Sequence, residues 1–231
     1  MGRSLSHQIQ SRRRFLQMSA AATAGVLTSG WQLAVPLPAR AQSTLSPDAA
    51  LNELMQGNKR FTSGHPTAQE HDIALLKKTV DKQEPFAGVL SCADSRVPVE
   101  IVFDQSIGQI FVTRVAGNIV TPEIIASLEY GAADLGTKVI VVMGHSGCGA
   151  VKAAIQGKDV PGQISALFPH IRPAIGQAGP NLEPAVKANA RIQAALLRES
   201  STVISGMLKE GKLKVVAAYY DLGTGTVTLL E

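Results

Sequence analysis

Two short segments hold most of the side chains that could act together chemically. Cys92, Asp94 and Arg96 alternate in one segment, and His145 and Cys148 form a His-x-x-Cys pair that begins 53 residues after Cys92. Two thiolates and one imidazole are good zinc ligands, and three protein ligands plus water make an open catalytic site. A nearby carboxylate can orient a bound hydroxide, and an arginine fork can keep that carboxylate ionised. The pattern therefore favours a catalytic zinc site.

The same residues allow simpler interpretations. Each cysteine could be a small core residue, and Cys92 with Cys148 could form a disulfide in an exported protein. A lone histidine is more often structural than a ligand, and Asp94 with Arg96 could be a surface ion pair of little energetic value. A nucleophile elbow would need glycine in place of Cys148, and a dinucleotide-binding loop would need it in place of Lys152. The placement of all five residues directly after two predicted strands nevertheless favours a zinc site.

The elements around these segments predict an α/β fold. Apolar runs predict strands at 86–90, 109–114, 138–143, 213–220 and 226–230. Helices are predicted at 47–63, 70–82, 121–134, 148–156, 163–176 and 182–209. This alternation favours a mostly parallel central sheet flanked by helices, with the last two strands as an antiparallel pair at one edge. Ligands bind at the carboxyl ends of strands in such sheets, where both reactive segments fall.

Local signals mark several helix ends and faces. Ser46 and Thr121 each precede a proline and are predicted N-caps. In the predicted helix 70–82, Ile73, Leu76 and Val80 share one face.

The charge of the chain is unevenly distributed. Of 231 residues, 45% are apolar and 17% charged, which suits a packed globular core and argues against disorder. The net charge of +4 and the pI of about 9.2 would suggest an anionic macromolecular partner. Residues 1–41, however, carry five arginines and no acidic residue, so residues 42–231 have a net charge of −1. No nucleic-acid partner is therefore expected, and two cysteines exclude a disulfide-dense scaffold.

The N-terminus resembles a twin-arginine export signal. Residues 11–17, Ser-Arg-Arg-Arg-Phe-Leu-Gln, match the motif; a weakly apolar stretch follows at 18–35, and Ala-Arg-Ala at 39–41 suits a signal peptidase. We therefore expect a signal peptide at 1–41, one domain at 42–231 and export to the periplasm or an equivalent lumen. The alternatives are a retained anchor, although the run is short and polar for a span of roughly 20 apolar residues, and a basic tail that binds nucleic acid.

The two reactive segments resemble those of β-class carbonic anhydrases. Residues 92–98 resemble the C-x-D-x-R loop of that family and residues 145–149 resemble its H-x-x-C-G loop, and the resemblance extends over about 47–231. It implies a zinc lyase that reversibly hydrates carbon dioxide to bicarbonate and a proton, by attack of zinc-bound hydroxide. It also implies one Zn²⁺ per subunit.

The resemblance assigns roles residue by residue. Cys92, His145 and Cys148 are the implied zinc ligands, and Asp94 and Arg96 are the implied orienting dyad. Asp94 is also a candidate fourth ligand in a closed state of the site.

Three further positions match a plant-like substrate pocket. Gln83, Phe111 and Tyr130 match residues that line the carbon dioxide pocket there, part of it from the partner subunit. Without the resemblance, the two aromatic residues would be ordinary core residues and Gln83 a surface residue. The resemblance also implies a homodimer or larger homo-oligomer, with the N-terminal helices at about 47–82 embracing a partner. No stable membrane span is expected after signal cleavage.

A regulatory site of another bacterial branch is expected to be missing. That site binds bicarbonate through a tryptophan, an arginine and a tyrosine. The arginine matches Arg114, but the tryptophan position holds Val89, and the only tryptophan is Trp31 in the predicted signal. Two rival functions stay open: a carbon disulfide or carbonyl sulfide hydrolase, which resembles this family and shares its zinc ligands, and a periplasmic zinc-binding or thiol-redox protein.

Overall fold

A five-stranded sheet forms the centre of the chain. The computed structural model describes residues 43–68 and 73–231, so the predicted signal peptide at 1–41 lies outside the described residues. The strands are β1 (Ala87–Ser91), β2 (Ile110–Arg114), β3 (Val139–His145), β4 (Lys214–Tyr220) and β5 (Val227–Leu230). Their order is β2-β1-β3-β4-β5; β1 pairs in parallel with β2 and β3, β3 pairs in parallel with β4, and β5 is antiparallel to β4. The predicted α/β fold is confirmed.

Helices flank this sheet. The α-helices are α1 (Pro47–Thr62), α2 (Ile73–Lys78), α3 (Val99–Val102), α4 (Pro122–Glu129), α5 (Gly149–Gln156), α6 (Phe168–Ala178), α7 (Leu182–Ser200) and α8 (Thr202–Lys209). A π-helical turn, Tyr130–Asp134, follows α4, and a 3₁₀ turn, Ile164–Leu167, precedes α6. None of the helices in the described ranges is long and apolar enough to cross a membrane. The short helix α3 was not predicted.

Helix α2 is shorter and more exposed than predicted. The N–H and the hydroxyl of Thr79 both donate to the Leu76 carbonyl, at 3.0 and 2.8 Å, and this tight turn ends the helix. Val80 therefore lies beyond the helix, with 75% of its surface exposed, and Ile73 is exposed as well. The first three residues of the predicted helix, 70–72, lie outside the described residues. Within residues 43–68 and 73–231, no side chain buries these exposed apolar residues.

The predicted helix 182–209 is two helices. Ser201 leaves the helical conformation (φ −105°, ψ 116°), and its Oγ accepts a hydrogen bond from the Ile204 N–H at 3.0 Å. The same hydroxyl donates to Glu129 at 2.6 Å. A serine N-cap with a partner on another helix thus starts α8 at a position where the apolar pattern gave no sign of a break.

The two predicted N-caps have different outcomes. Ser46 caps α1, since its Oγ accepts a hydrogen bond from the Ala49 N–H at 3.2 Å. Thr121 occupies the N-cap position of α4, but its hydroxyl donates to Glu123 at 2.8 Å and makes no side-chain cap. Proline at the first helical position still favours the start of this helix.

Successive residues of the strands point to opposite faces of the sheet, and each face packs in its own hydrophobic core. Buried side chains on the first face and its helices include Val89, Val141, Met143, Leu54 and Phe103. Those on the opposite face include Leu90, Ile140, Val142, Ala190, Ala194 and Leu197. A third cluster, around Cys92 and Cys148, includes residues of α5, α6 and α7. The two cysteines thus lie within packed structure.

Polar contacts hold α1 against its own domain. The buried Asn58 donates to the carbonyls of Val102 and Gly225, at 3.0 and 2.9 Å, and accepts from the Val227 N–H at 2.9 Å. Next to it, Gly57 lies so close to the Phe103 carbonyl that a Cβ there would overlap it. These contacts fix α1 beside α3 and β5.

A buried carboxylate makes a second attachment. Asp104, at a positive φ of 48°, accepts hydrogen bonds from Arg60 and from the N–H groups of Thr67 and Ala68, the last two at 2.8 Å. Burial alone would raise the pKa of Asp104, but these hydrogen bonds hold it below its ordinary value. The carboxylate therefore joins α1 to the segment that follows it.

Candidate active site

Three side chains with metal-binding atoms meet at the carboxyl edge of the sheet. Cys92 directly follows β1, His145 is the last residue of β3, and Cys148 is the N-cap of α5. Because β1 and β3 are parallel neighbours, their carboxyl ends lie side by side. All three residues are buried, and their ligand atoms lie within 4.8 Å of one another. The fold thus brings together the three predicted ligands from two distant segments.

The imidazole of His145 presents a free nitrogen to this group. Its Nδ1 lies 2.9 Å from the Ser146 carbonyl oxygen, where it donates a hydrogen bond. Its Nε2 is buried and has no hydrogen-bond partner. A buried polar atom without a partner is costly, and metal-binding histidines typically donate one ring N–H while the other nitrogen binds the metal. This orphaned atom fits a metal ligand.

The two cysteines are free thiols rather than a disulfide. Hydrogen bonding from the Cys148 thiol lowers the pKa of Cys92, and the same interaction together with burial raises the pKa of Cys148. The Gly117 N–H also donates to the Cys92 sulfur at 3.3 Å. Cys92 is therefore the more acidic of the two thiols.

Arg96 holds Asp94 by its side chain and its backbone. The Arg96 N–H and Nε donate to Oδ1 of Asp94, at 2.9 and 3.0 Å, while Nη2 donates to Oδ2 at 2.9 Å. These hydrogen bonds hold the pKa of Asp94 well below its usual range. Oδ2 also lies 3.9 Å from Nε2 of His145. An ionised carboxylate of fixed orientation thus borders the three ligand atoms, which distinguishes it from an isolated surface ion pair.

Comparison with known proteins identifies the family. A family model described as carbonic anhydrase matches residues 87–227, more than half of the chain. The carbonic anhydrase of Mycolicibacterium smegmatis is 34% identical over 195 residues, covering 80% of this chain and 93% of that protein. Carbonic anhydrase 2 of Mycobacterium tuberculosis is 32% identical over 194 residues, covering 80% and 94%.

Solved structures indicate which class of carbonic anhydrase the chain resembles. The β-carbonic anhydrase CcaA matches with a TM-score of 0.64 and 25% identity, over 78% of this chain and 87% of that one. A Coccomyxa β-carbonic anhydrase matches with a TM-score of 0.61 and 25% identity, over 78% and 86%. The chain belongs to the β-class carbonic anhydrases. This confirms the predicted enzyme class, and membership in this family supports carbon dioxide hydration.

In this β-carbonic anhydrase, a residue that sequence reasoning left outside the active site supports the loop of Cys92. Arg114, the last residue of β2, donates from Nε to the Cys92 carbonyl at 3.0 Å and from Nη2 to the Asp94 carbonyl. The family resemblance of the sequence matches Arg114 only to the regulatory arginine of another bacterial branch. The strand register offers a signal in retrospect, since Arg114 pairs with Ser91, immediately before Cys92.

The predicted substrate-pocket residues form a separate group. Gln83 and Tyr130 line a surface cavity of about 380 Å³, and Phe111 lies 6.2 Å from Tyr130 between ring centroids. None of the residues that line this cavity is a predicted metal ligand. Phe111 pairs with Gly88, four residues before Cys92, which is about 13 Å along the sheet at roughly 3.3 Å per residue. One chain of the enzyme therefore does not unite this group with the ligands.

Proposed function

We propose that this carbonic anhydrase is a zinc enzyme and that Cys92, His145 and Cys148 bind one Zn²⁺ per subunit. The observation that carries this proposal is the buried group of ligand atoms within 4.8 Å, in which Nε2 of His145 has no other partner. Two sulfur donors and one imidazole nitrogen suit zinc, and three protein ligands are the number typical of a catalytic rather than a structural zinc site. The site therefore has the donor set of a catalytic centre.

The residues around this site have distinct roles in the hydration of carbon dioxide. A zinc ion held there supplies the Lewis acidity that activates water as a nucleophile near neutral pH. Asp94 accepts a hydrogen bond from the reacting water and thereby directs a lone pair of its oxygen toward carbon dioxide. Arg96 donates two hydrogen bonds to Oδ1 of Asp94 and keeps the carboxylate ionised. The products are bicarbonate and a proton, which leaves for the solvent.

We further propose that the active enzyme is a homodimer or a larger homo-oligomer. Strand β2 is an edge of the sheet in this chain, and such an edge can pair with another chain. Val80 and Tyr130 line the surface cavity and are 75% and 46% exposed. Ile73 and Leu76, which are close to Val80 in sequence, are also exposed. Exposed apolar side chains of this kind mark interfaces. In the oligomer, the group of Gln83, Phe111 and Tyr130 completes the pocket of the neighbouring subunit.

The oligomer has a direct test in sedimentation velocity. We expect residues 42–231 to sediment as a dimer or a larger species at micromolar concentration. Val80→Glu, which places a charge in the exposed apolar group, should shift the distribution toward monomer and lower activity per chain. Ile164→Glu changes an exposed apolar side chain that lies outside this cavity and is the matched control. A wild-type protein that sediments only as a monomer would exclude this arrangement.

We propose in addition that residues 1–41 direct export by the twin-arginine route, with cleavage after Ala41. The support is the motif at 11–17 and the small residues at 39–41. Replacing Arg12 and Arg13 by lysine should retain the protein in the cytoplasm at full length. The intact mass of the periplasmic form should correspond to a chain that begins at Gln42. An equal periplasmic yield of the double variant would contradict the proposal.

The zinc chemistry is tested by metal content together with rate. We expect one zinc per chain, two titratable thiols after denaturation and rapid carbon dioxide hydration in a stopped-flow indicator assay. A protein without zinc whose mass is two units low would indicate a Cys92–Cys148 disulfide and exclude the catalytic centre. Sulfide release from carbon disulfide, in the absence of carbon dioxide hydration, would assign the rival hydrolase activity.

A further inference from the structure

Two side-chain amides lie buried on the inner face of α7. Asn189 and Gln193 stand one helical turn apart and are 0% and 1% exposed. They contact each other, since Nε2 of Gln193 donates to Oδ1 of Asn189 at 3.2 Å. Burying an amide costs free energy unless its polar atoms find partners. The other buried residues of this helix are all alanine, valine or leucine, so the amides require an explanation beyond packing.

Both amides bind the segment that follows β2. Nδ2 of Asn189 donates to the Gly117 carbonyl at 2.8 Å, and Oε1 of Gln193 accepts from the Val120 N–H at 2.8 Å. Nε2 of Gln193 also donates to the His170 carbonyl at 2.9 Å. Each end of the segment 117–120 is therefore tied to α7 by a buried hydrogen bond.

Gly117 links this helix to the proposed zinc ligand. Its carbonyl faces Asn189, and its N–H donates to the Cys92 sulfur at 3.3 Å. Its φ of +77° favours glycine, and a Cβ there would lie 3.0 Å from the Ile171 side chain and 3.3 Å from that of Ala150. The residue is thus confined on several sides, and the two hydrogen bonds, one on each peptide plane that flanks its Cα, together restrict the backbone rotation that directs its N–H toward the sulfur.

We propose that Asn189 is a positioning residue for the metal centre, which acts through Gly117 on the sulfur of Cys92. Because an N–H···S hydrogen bond withdraws charge from a ligand thiolate, it tunes both the affinity for the metal and the electrophilicity of the metal. The inference rests on the proposed zinc site. Asn189 touches neither the ligands nor the dyad in the contacts described above, so its effect is exerted on the geometry of one hydrogen bond.

The test compares two buried asparagines with the same substitution. Asn189→Leu removes the hydrogen bond to Gly117, whereas Asn58→Leu removes three hydrogen bonds in α1, away from the metal loops. Zinc affinity is measured by competition with a chromophoric chelator. The thiolate-to-metal charge-transfer band of the Co²⁺-substituted protein reports on the sulfur. We expect Asn189→Leu to weaken zinc binding about 10- to 100-fold and to shift the band.

The control separates positioning from general destabilisation. Asn58→Leu should lower thermal stability yet leave the zinc affinity and the band at their wild-type values. If both variants change these two readouts equally, or if Asn189→Leu changes neither, the proposal is overturned. If wild type itself binds neither zinc nor cobalt, the proposed function fails instead, and the two failures are thereby distinguished.

A second variant and a measurement on wild type cover the case of a misfolded leucine variant. Asn189→Ala removes the amide and adds no branched side chain to a helix whose buried face is already rich in alanine. In ¹¹³Cd-substituted wild type, NMR should detect scalar coupling between the metal and the Gly117 amide proton across the N–H···S bond. Asn189→Ala should reduce that coupling. Absence of the coupling in wild type, or the same coupling in the variant, would overturn the inference.

Discussion

Replacement of Asp94 by asparagine changes one hydrogen-bond acceptor into a donor with almost no change in volume. Oδ1 of Asp94 accepts from two Arg96 donors, so the amide oxygen of the introduced asparagine should keep that place. The amide NH₂ group then occupies the position of Oδ2. There it faces Nη2 of Arg96, another donor, at 2.9 Å, and lies 3.9 Å from Nε2 of His145. The side that borders the ligand atoms therefore loses its carboxylate oxygen.

The size of the effect follows from the lost acceptor. A hydrogen bond to a charged group contributes about 1.5–3 kcal/mol, which corresponds to a rate change of roughly 10- to 150-fold. The two donors placed opposite each other by Asp94→Asn add repulsion to this loss. We therefore expect kcat for carbon dioxide hydration to fall at least ~100-fold in a stopped-flow assay. Zinc should stay at one per chain, because Cys92, His145 and Cys148 are unchanged.

The control for Asp94→Asn removes a carboxylate elsewhere. Asp48 is 80% exposed at its side chain and pairs with Lys214 on the surface, so Asp48→Asn should leave kcat unchanged. Activity of Asp94→Asn within a few-fold of wild type, with zinc bound, would refute the orienting role of the carboxylate. Loss of zinc from this variant would show instead that Asp94 contributes to metal binding.

Three further outcomes are expected. Gly57→Ala should cost about 3 kcal/mol in denaturant unfolding, because its Cβ overlaps the backbone of Phe103; an unchanged midpoint would contradict the close approach. Asp104→Asn should cost about 2 kcal/mol at pH 7. Since the folded pKa of Asp104 is lowered, its contribution is present above about pH 4 and is lost as pH falls further, so variant and wild type should converge in acid; a constant difference would contradict this. The resemblance places Val89 at the position of the regulatory tryptophan of the other branch, so we expect no steep inactivation below about pH 8, measured by stopped flow with and without bicarbonate. Steep loss of activity that bicarbonate deepens would indicate that the regulatory site is present.

The group of potential ligands was predictable because its signals are local. The spacing within residues 92–96 and 145–148 is visible in the sequence, and each segment follows an apolar run of strand length. Parallel strands place their carboxyl ends together, so two segments about 50 residues apart converge at one edge. The same reasoning predicted the antiparallel pair of β4 and β5 from a glycine-containing turn.

The supporting contacts were missed because they join residues distant in sequence. Asn189 is 72 residues from Gly117, and no local pattern pairs them. One signal was available: Asn189 and Gln193 form a polar i, i+4 pair on the otherwise apolar face of α7. The break at Ser201 likewise depends on Glu129, which lies on another helix. Tertiary partners decided these features, and helix propensity alone predicted an uninterrupted helix.

The loop that carries Asp94 needs such distant support for a simple reason. Beyond the carboxyl end of a strand, the backbone carbonyls no longer have partners in the neighbouring strands and must find other hydrogen-bond donors. Arg114 supplies them for Cys92 and Asp94, and Gly117 supplies an N–H for the Cys92 sulfur. Because the backbone is held in this way from the neighbouring strand, the carboxylate and thiol side chains remain directed toward the ligand group. The precision of the site thus comes from β2 and α7, neither of which provides a proposed metal ligand.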